Sequence, residues 1–210
     1  MSTVAIIDYG MGNLRSVAKA IEHVAPQFRV EVTAEPSRVA AADRVIFPGQ
    51  GAMPDCMREL DQRGLRAAVL SAAASKPFLG ICIGLQMLFE HSDEGDVPGL
   101  QVFEGNVARF PDMRDAAGMC LKVPHMGWNE VHQRQSHPLW EGIPDGSRFY
   151  FVHSFYAQPA NSALIASETN YGVRFTSAVG RANIFAVQFH PEKSAHMGLR
   201  LLSNFIRWVP

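Results

Sequence analysis

The chain has 210 residues, 47% of them hydrophobic, which suits one ordinary domain with a sizeable core spanning residues 1–210. A formal net charge of −1 removes the electrostatic case for nucleic acid or an anionic membrane as partner. Cys56, Cys82 and Cys120 are odd in number and widely spaced, so neither a disulfide framework nor a zinc pattern is expected, and a reducing, cytoplasmic setting is.

Residues 4–7 form an apolar run ending at Asp8, the first expected strand. Tyr9-Gly10-Met11-Gly12-Asn13 follows as a turn, and Leu14, Val17, Ala18 and Ile21 give a helical stripe. A glycine turn between a first strand and a first helix suggests nucleotide binding. GMGN, however, lacks the third glycine of G-x-G-x-x-G and the lysine of a P-loop, so an ordinary turn is the better reading. Residues 28–32 and 44–47 are the next two strands, with a short helix starting at Glu35-Pro36-Ser37. The third strand runs into Pro48-Gly49-Gln50-Gly51, where small residues let backbone N–H groups approach a ligand. Residues 53–75 read as helix broken near Gly64.

Residues 78–81 are a fourth strand, and Leu85, Leu88 and Phe89 continue it as a helix. Between them lies Gly80-Ile81-Cys82-Ile83-Gly84. A tight strand-to-helix turn needs small residues two positions either side of its apex, the logic of the G-x-S-x-G elbow. Here the apex is Cys82, a candidate nucleophile whose sulfur would sit at a helix N-terminus that favours the thiolate. Ile83 N–H would face an oxyanion formed on the attacked group, and the Gly49-Gln50-Gly51 turn, at the same carboxyl edge of a parallel sheet, is the natural second donor. Strand–helix units in succession argue for a parallel, helix-flanked sheet.

The second half changes character. Strands are expected at 102–110, 120–123, 149–155, 164–169, 173–179 and 183–189, mostly without helices between, as an antiparallel extension. Residues 124–129, PHMGWN, read as a loop, and Leu199, Leu202, Phe205 and Ile206 as a closing helix. The last strand runs into His190-Pro191-Glu192-Lys193. A cysteine nucleophile needs a base to take its proton and return it to a leaving amine, which suits His190; Glu192 would orient the imidazole. His125 and His153 are weaker candidates, and the remaining histidines are expected to be surface or packing residues.

GICIGLQ together with FHPEKS resembles the class I, triad-type glutamine amidotransferases. DYGMGNLRSV, FPGQGAM, VPHMGWN and FYFVHSFY, in this order, are similar to the glutaminase subunits of imidazole glycerol phosphate synthases, over nearly the whole chain. The pattern departs at Gln50, where that family has a small apolar residue, often valine; the side chain changes and the backbone donor does not. The resemblance implies a flavodoxin-like, doubly wound α/β fold and glutamine hydrolysis by Cys82, His190 and Glu192. It implies oxyanion donors at Ile83 and within Gly49, Gln50 and Gly51, and substrate contacts from Gln86, Glu94, Ser154 and Phe155. It also implies a (β/α)8-barrel cyclase partner that receives the ammonia, docked near Asn13, Trp128 and Lys193. No cofactor and no metal are expected. Three other readings stay open: a different class I glutaminase, such as that of pyridoxal phosphate synthesis; a thiol hydrolase on a similar sheet; and a nucleotide-binding module using residues 10–13.

Overall fold

A computed structural model describes residues 2–114 and 118–210. The first half alternates as expected: β1 (Thr3–Ile7), α1 (Leu14–Val24), β2 (Arg29–Thr33), α2 (Pro36–Ala41), β3 (Arg44–Gly49), α3 (Met53–Gln62), α4 (Arg66–Ser75) and β4 (Phe78–Cys82). Helix α1 buries Val17, Ala20 and Ile21, one face at helical spacing. Gly64, at φ 65°, separates α3 from α4 in a conformation that side chains disfavour. Strand β4 is buried along its whole length, as befits a central parallel strand covered on both faces.

Beyond β4 come α5 (Ile83–Gln86), β5 (Phe89–Ser92), β6 (Val97–Pro98), β7 (Phe103–Arg109), β8 (His125–Gln133), β9 (Ser147–His153), β10 (Phe155–Pro159), β11 (Ile165–Tyr171), β12 (Val173–Arg181), β13 (Ile184–Val187) and α6 (Ala195–Arg207). The large sheet has nine strands in the order β2-β1-β3-β4-β13-β12-β11-β8-β9. Its β2, β1, β3, β4 and β13 run parallel, and the rest is the antiparallel extension. A second sheet, β10-β7-β5-β6, was not expected. Among the described residues no helix is long and apolar enough to cross a membrane.

Four local expectations need correction. The helix after Cys82 is a single turn, and the chain then becomes β5. Leu85, Leu88 and Phe89 are all fully buried, so their spacing reflects burial on every side rather than one helical face. The Leu88 carbonyl accepts from Val102 and Phe103 N–H, contacts a continuing helix would forbid. Residues 124–129 are mostly strand: β8 pairs with β9 from His125↔His153 to Val131↔Ser147. Its outward side chains meet solvent, and polar and aromatic residues there hid the alternation. Residues 120–123 form no strand, only an isolated bridge between Arg114 and Cys120. The run 149–155 breaks at Ser154, where the chain leaves the large sheet for the small one.

The glycines flanking Cys82 are required by packing. A Cβ at Gly84 would collide with the Phe47 carbonyl oxygen, and one at Gly80 would lie 2.9 Å from Ala186 Cβ. Gly84→Ala is therefore expected to cost about 3 kcal/mol or more, because backbone must move. Gly64→Ala, with open space around it, should cost about 1 kcal/mol through its positive φ alone. Urea unfolding of the two variants checks this order.

Candidate active site

Three parallel strands end together. Gly49 of β3 pairs with Cys82 of β4, and Val187 of β13 with Ile81. That register sets the Gly49-Gln50-Gly51 turn, Cys82 and the Gln188-Phe189-His190 segment along one carboxyl edge, where open α/β sheets bind ligands.

Cys82 has φ 56° and ψ −112°. For a residue with a side chain this costs on the order of 1–3 kcal/mol and aims the sulfur out of the strand line. The one-turn α5 is too short to supply the sizeable helix dipole expected at the sulfur. Gln188 Nε2 donates to Cys82 Sγ at 3.7 Å. The thiol lies 3.9 Å from the Val152 carbonyl.

His190 is held at both backbone ends. Its N–H donates to Tyr150 O at 2.9 Å, and its carbonyl accepts from Ser194 Oγ at 2.6 Å. The short turn Pro191–Lys193 folds Glu192 back, and His190 Nδ1–H donates to Glu192 Oε1 at 2.9 Å. The side chains are 6% and 1% exposed. Burial alone would lower the His190 pKa; the Cys82 thiolate and the Glu192 carboxylate outweigh it and raise the imidazole to about 10. The ring is thus a charged proton carrier, with Nδ1 on Glu192 and Nε2 left for the Cys82 sulfur and its substrate.

A cavity of about 330 Å³ opens over Cys82. Of the residues expected from sequence, Gln50, Gly51, Cys82, Ile83, Gln86, Glu94, Ser154, Phe155, His190 and Lys193 line it. Gly49 stands just behind, where a Cβ would strike the Tyr9 hydroxyl. The Gln50 carbonyl accepts from the buried Cys56 thiol at 3.7 Å, and Gly51 has φ 112°, which fixes the turn on one side. Glu94 Oε2 accepts from Met53 N–H at 2.8 Å at the start of α3, so this carboxylate is anchored rather than solvated. Gln86 is fully buried, and its Oε1 has no partner among the described residues. The Ser154 and Phe155 carbonyls are already engaged, by Phe110 N–H and by His153 and Gln86 respectively.

Of the residues expected at a partner face, Lys193 lines this cavity, and Trp128 borders a separate hollow beside β8. A Cβ at Gly12 would lie 3.7 Å from Gly49 Cα, which puts the turn before Asn13 against the Gly49-Gln50-Gly51 turn. Trp128 sits on the outer face of β8, 45% exposed, near Met126 at 62%. Sequence reasoning missed Gln188 and undervalued His153. Gln188 was detectable as a glutamine inside the apolar run before His190; His153 carried no signal beyond its residue type. Among the described residues no group of three or more His, Cys, Asp or Glu is placed to hold a metal ion.

The sequence model of the family Glutamine amidotransferase class-I matches residues 5–208. The imidazole glycerol phosphate synthase subunit HisH of Aromatoleum aromaticum is 73% identical, covering 100% of both chains. That of Dechloromonas aromatica is 70% identical over 99% of this chain and 97% of the relative. Among solved structures, PurLQS from Thermotoga maritima shares the fold with a TM-score of 0.72 at 16% identity, covering 98% of each chain. A crystal structure of a glutamine amidotransferase matches with a TM-score of 0.71 at 17% identity and 97% coverage of both.

A histidine whose pKa is raised on folding contributes stability that is full below its ordinary value of 6.5 and is lost as pH rises through about 10. The stability advantage of the wild-type chain over His190→Asn in urea unfolding should therefore be larger at about pH 6 than at about pH 10. An advantage that grows with pH would contradict the assignment.

Proposed function

We propose a mechanism from the premise that this chain belongs to the class I glutamine amidotransferases and, within them, to the HisH subunits of imidazole glycerol phosphate synthase. The chain is a glutamine-hydrolysing subunit serving histidine biosynthesis. In the proposed mechanism the Cys82 thiolate attacks the side-chain amide carbon of glutamine. The oxyanion takes N–H bonds from Ile83 and from the Gly49-Gln50-Gly51 turn. His190 Nε2–H gives its proton to the amide nitrogen as the C–N bond breaks, releasing ammonia and leaving a γ-glutamyl thioester. Water then loses a proton to His190 and attacks the thioester; the C–S bond breaks and glutamate leaves. Glu192 keeps the imidazole in one orientation and balances its charge throughout.

The observation that carries this reading is the junction of Cys82 at φ 56° with the buried His190–Glu192 pair over one cavity. The same cavity holds two acceptors for the α-ammonium of glutamine, Gln86 Oε1 and the anchored Glu94. Ser154 and Phe155 form the wall beside them.

Ammonia released to water would be protonated and lost, so a second subunit must cover the opening. The proposed partner is a (β/α)8-barrel cyclase, docked over Trp128, Asn13 and Lys193, which uses the ammonia to make imidazole glycerol phosphate and aminoimidazole carboxamide ribonucleotide. Docking is proposed to turn an N–H of the Gly49-Gln50-Gly51 turn toward the oxyanion. The test is glutamate release by the chain alone and with the cyclase subunit and its nucleotide substrate. Near-silence alone and strong turnover in the complex are expected, with loss on the order of a thousandfold or more in Cys82→Ala. Full turnover by the isolated chain would remove the gating. Glu192→Gln should lower kcat about a hundredfold with a smaller change in KM.

A further inference from the structure

An unbroken line of hydrogen bonds runs from β8 to the glutamine cavity. Asn129 Nδ2 faces His125 Nε2 at 3.3 Å and donates to Asn170 O at 2.9 Å, while Asn129 Oδ1 accepts from Glu130 N–H. His125 Nδ1 meets His153 Nε2 at 2.9 Å, and His153 Nδ1 meets Phe155 O at 2.8 Å. The Phe155 carbonyl also accepts from Gln86 Nε2 at 3.0 Å. The other hydrogen of that nitrogen goes to Gln188 Oε1 at 3.0 Å, and Gln188 Nε2 reaches the Cys82 sulfur.

Only one placement of protons satisfies every member. A carbonyl only accepts, so His153 Nδ1 carries a hydrogen. His153 Nε2 is then the acceptor and His125 Nδ1–H the donor; His125 Nε2 in turn accepts from Asn129. An extra proton on either ring would set two donors against each other. Burial agrees, lowering His125 to about 4 and His153 to about 3. Tyr171 stacks on His125 at 4.0 Å and 26°, and Phe151 at 5.0 Å and 27°, so the ring cannot turn freely. The same logic reaches the amides: with Nε2 of Gln86 committed to Phe155 O, its Oε1 is the buried acceptor left over.

We propose that His153 and His125 are positioning residues for the glutamine site, orienting the Phe155 carbonyl so that it holds the Gln86 amide with Oε1 available to the substrate's ammonium. This rests on the glutaminase reading above. His153 touches no reacting atom in that mechanism; its effect passes through Gln86 and is felt in substrate affinity.

The experiment is steady-state glutaminase kinetics of the complex with His153→Leu and His153→Asn, alongside the wild type and Cys82→Ala. Loss of one oriented hydrogen bond predicts about a tenfold rise in the KM for glutamine in His153→Leu, with kcat changed less than about threefold. His153→Asn restores an N–H near the position of Nδ1 and should keep KM within about threefold of wild type. Nitrogen-15 spectra of the imidazoles in the full-length chain provide a readout independent of turnover and of any variant's folding. Both rings are expected neutral with the hydrogen on Nδ1, and His125→Leu should blur that state at His153. A wild-type KM in His153→Leu, a loss confined to kcat, an asparagine no better than leucine, or a hydrogen on Nε2 of either ring would overturn the proposal. An inactive wild-type complex would instead refute the glutaminase reading, and the spectra would still judge the histidine pair.

Discussion

Gly84 lies so close to the end of β3 that any side chain there would strike the Phe47 carbonyl oxygen. That contact brings the Cys82 turn within one strand spacing of Gly49 and fixes the distance between the nucleophile and the turn that would bind the oxyanion. The same closeness forces Cys82 to positive φ, because α5 must leave β4 at once to clear β3. The strain is carried by a fully buried parallel strand with neighbours on both sides, so it cannot relax without breaking two ladders. Everything else about the site, including where His190 must stand, follows from the end of β4.

Two buried imidazoles near this cavity meet opposite fates. His190 and His153 are both removed from water, which disfavours charge in each. His190 has the Cys82 thiolate and the Glu192 carboxylate beside it and stays charged. His153 has only the Phe155 carbonyl to favour its proton, and the charge on nearby His190 lowers it further. A charged His153 would oppose the cation that protonates the leaving group. Keeping it neutral leaves one proton carrier in the cavity, and an amide from Gln188 rather than a second cation beside the sulfur.

Much of this site was legible in the residues. Gly80 and Gly84 around Cys82 betray the sharp turn because no other residue type fits there, and His190 with Glu192 two positions on reads as base and orienter because the spacing is local. What escaped is how the other side chains are held, because their partners are distant in sequence. Gln86 was expected at the substrate, but its orientation depends on Phe155 and Gln188, far away in sequence. Glu94 was also expected at the substrate, but its anchor, Met53 N–H, comes from another element. His125 and His153 looked like loop histidines, since each is defined by the other across a β8–β9 pairing that polar outward residues had concealed.

By itself the sequence determined the alternating first half, the break at Gly64, the elbow and the order in which nucleophile and base occur, since each rests on short-range sterics or burial period. It also carried the family resemblance, spread over the whole chain. Only the tertiary structure decided that α5 is one turn, that β10 belongs to a second sheet, and that residues 125–133 form a strand. A residue buried on all sides has no periodicity to read, and a strand with a wet face is recognised only once its neighbour is in place. Proton positions in the His125–His153 pair are the extreme case: they follow from which atoms can only accept, and that becomes knowable when the carbonyl of Phe155 is set beside the ring.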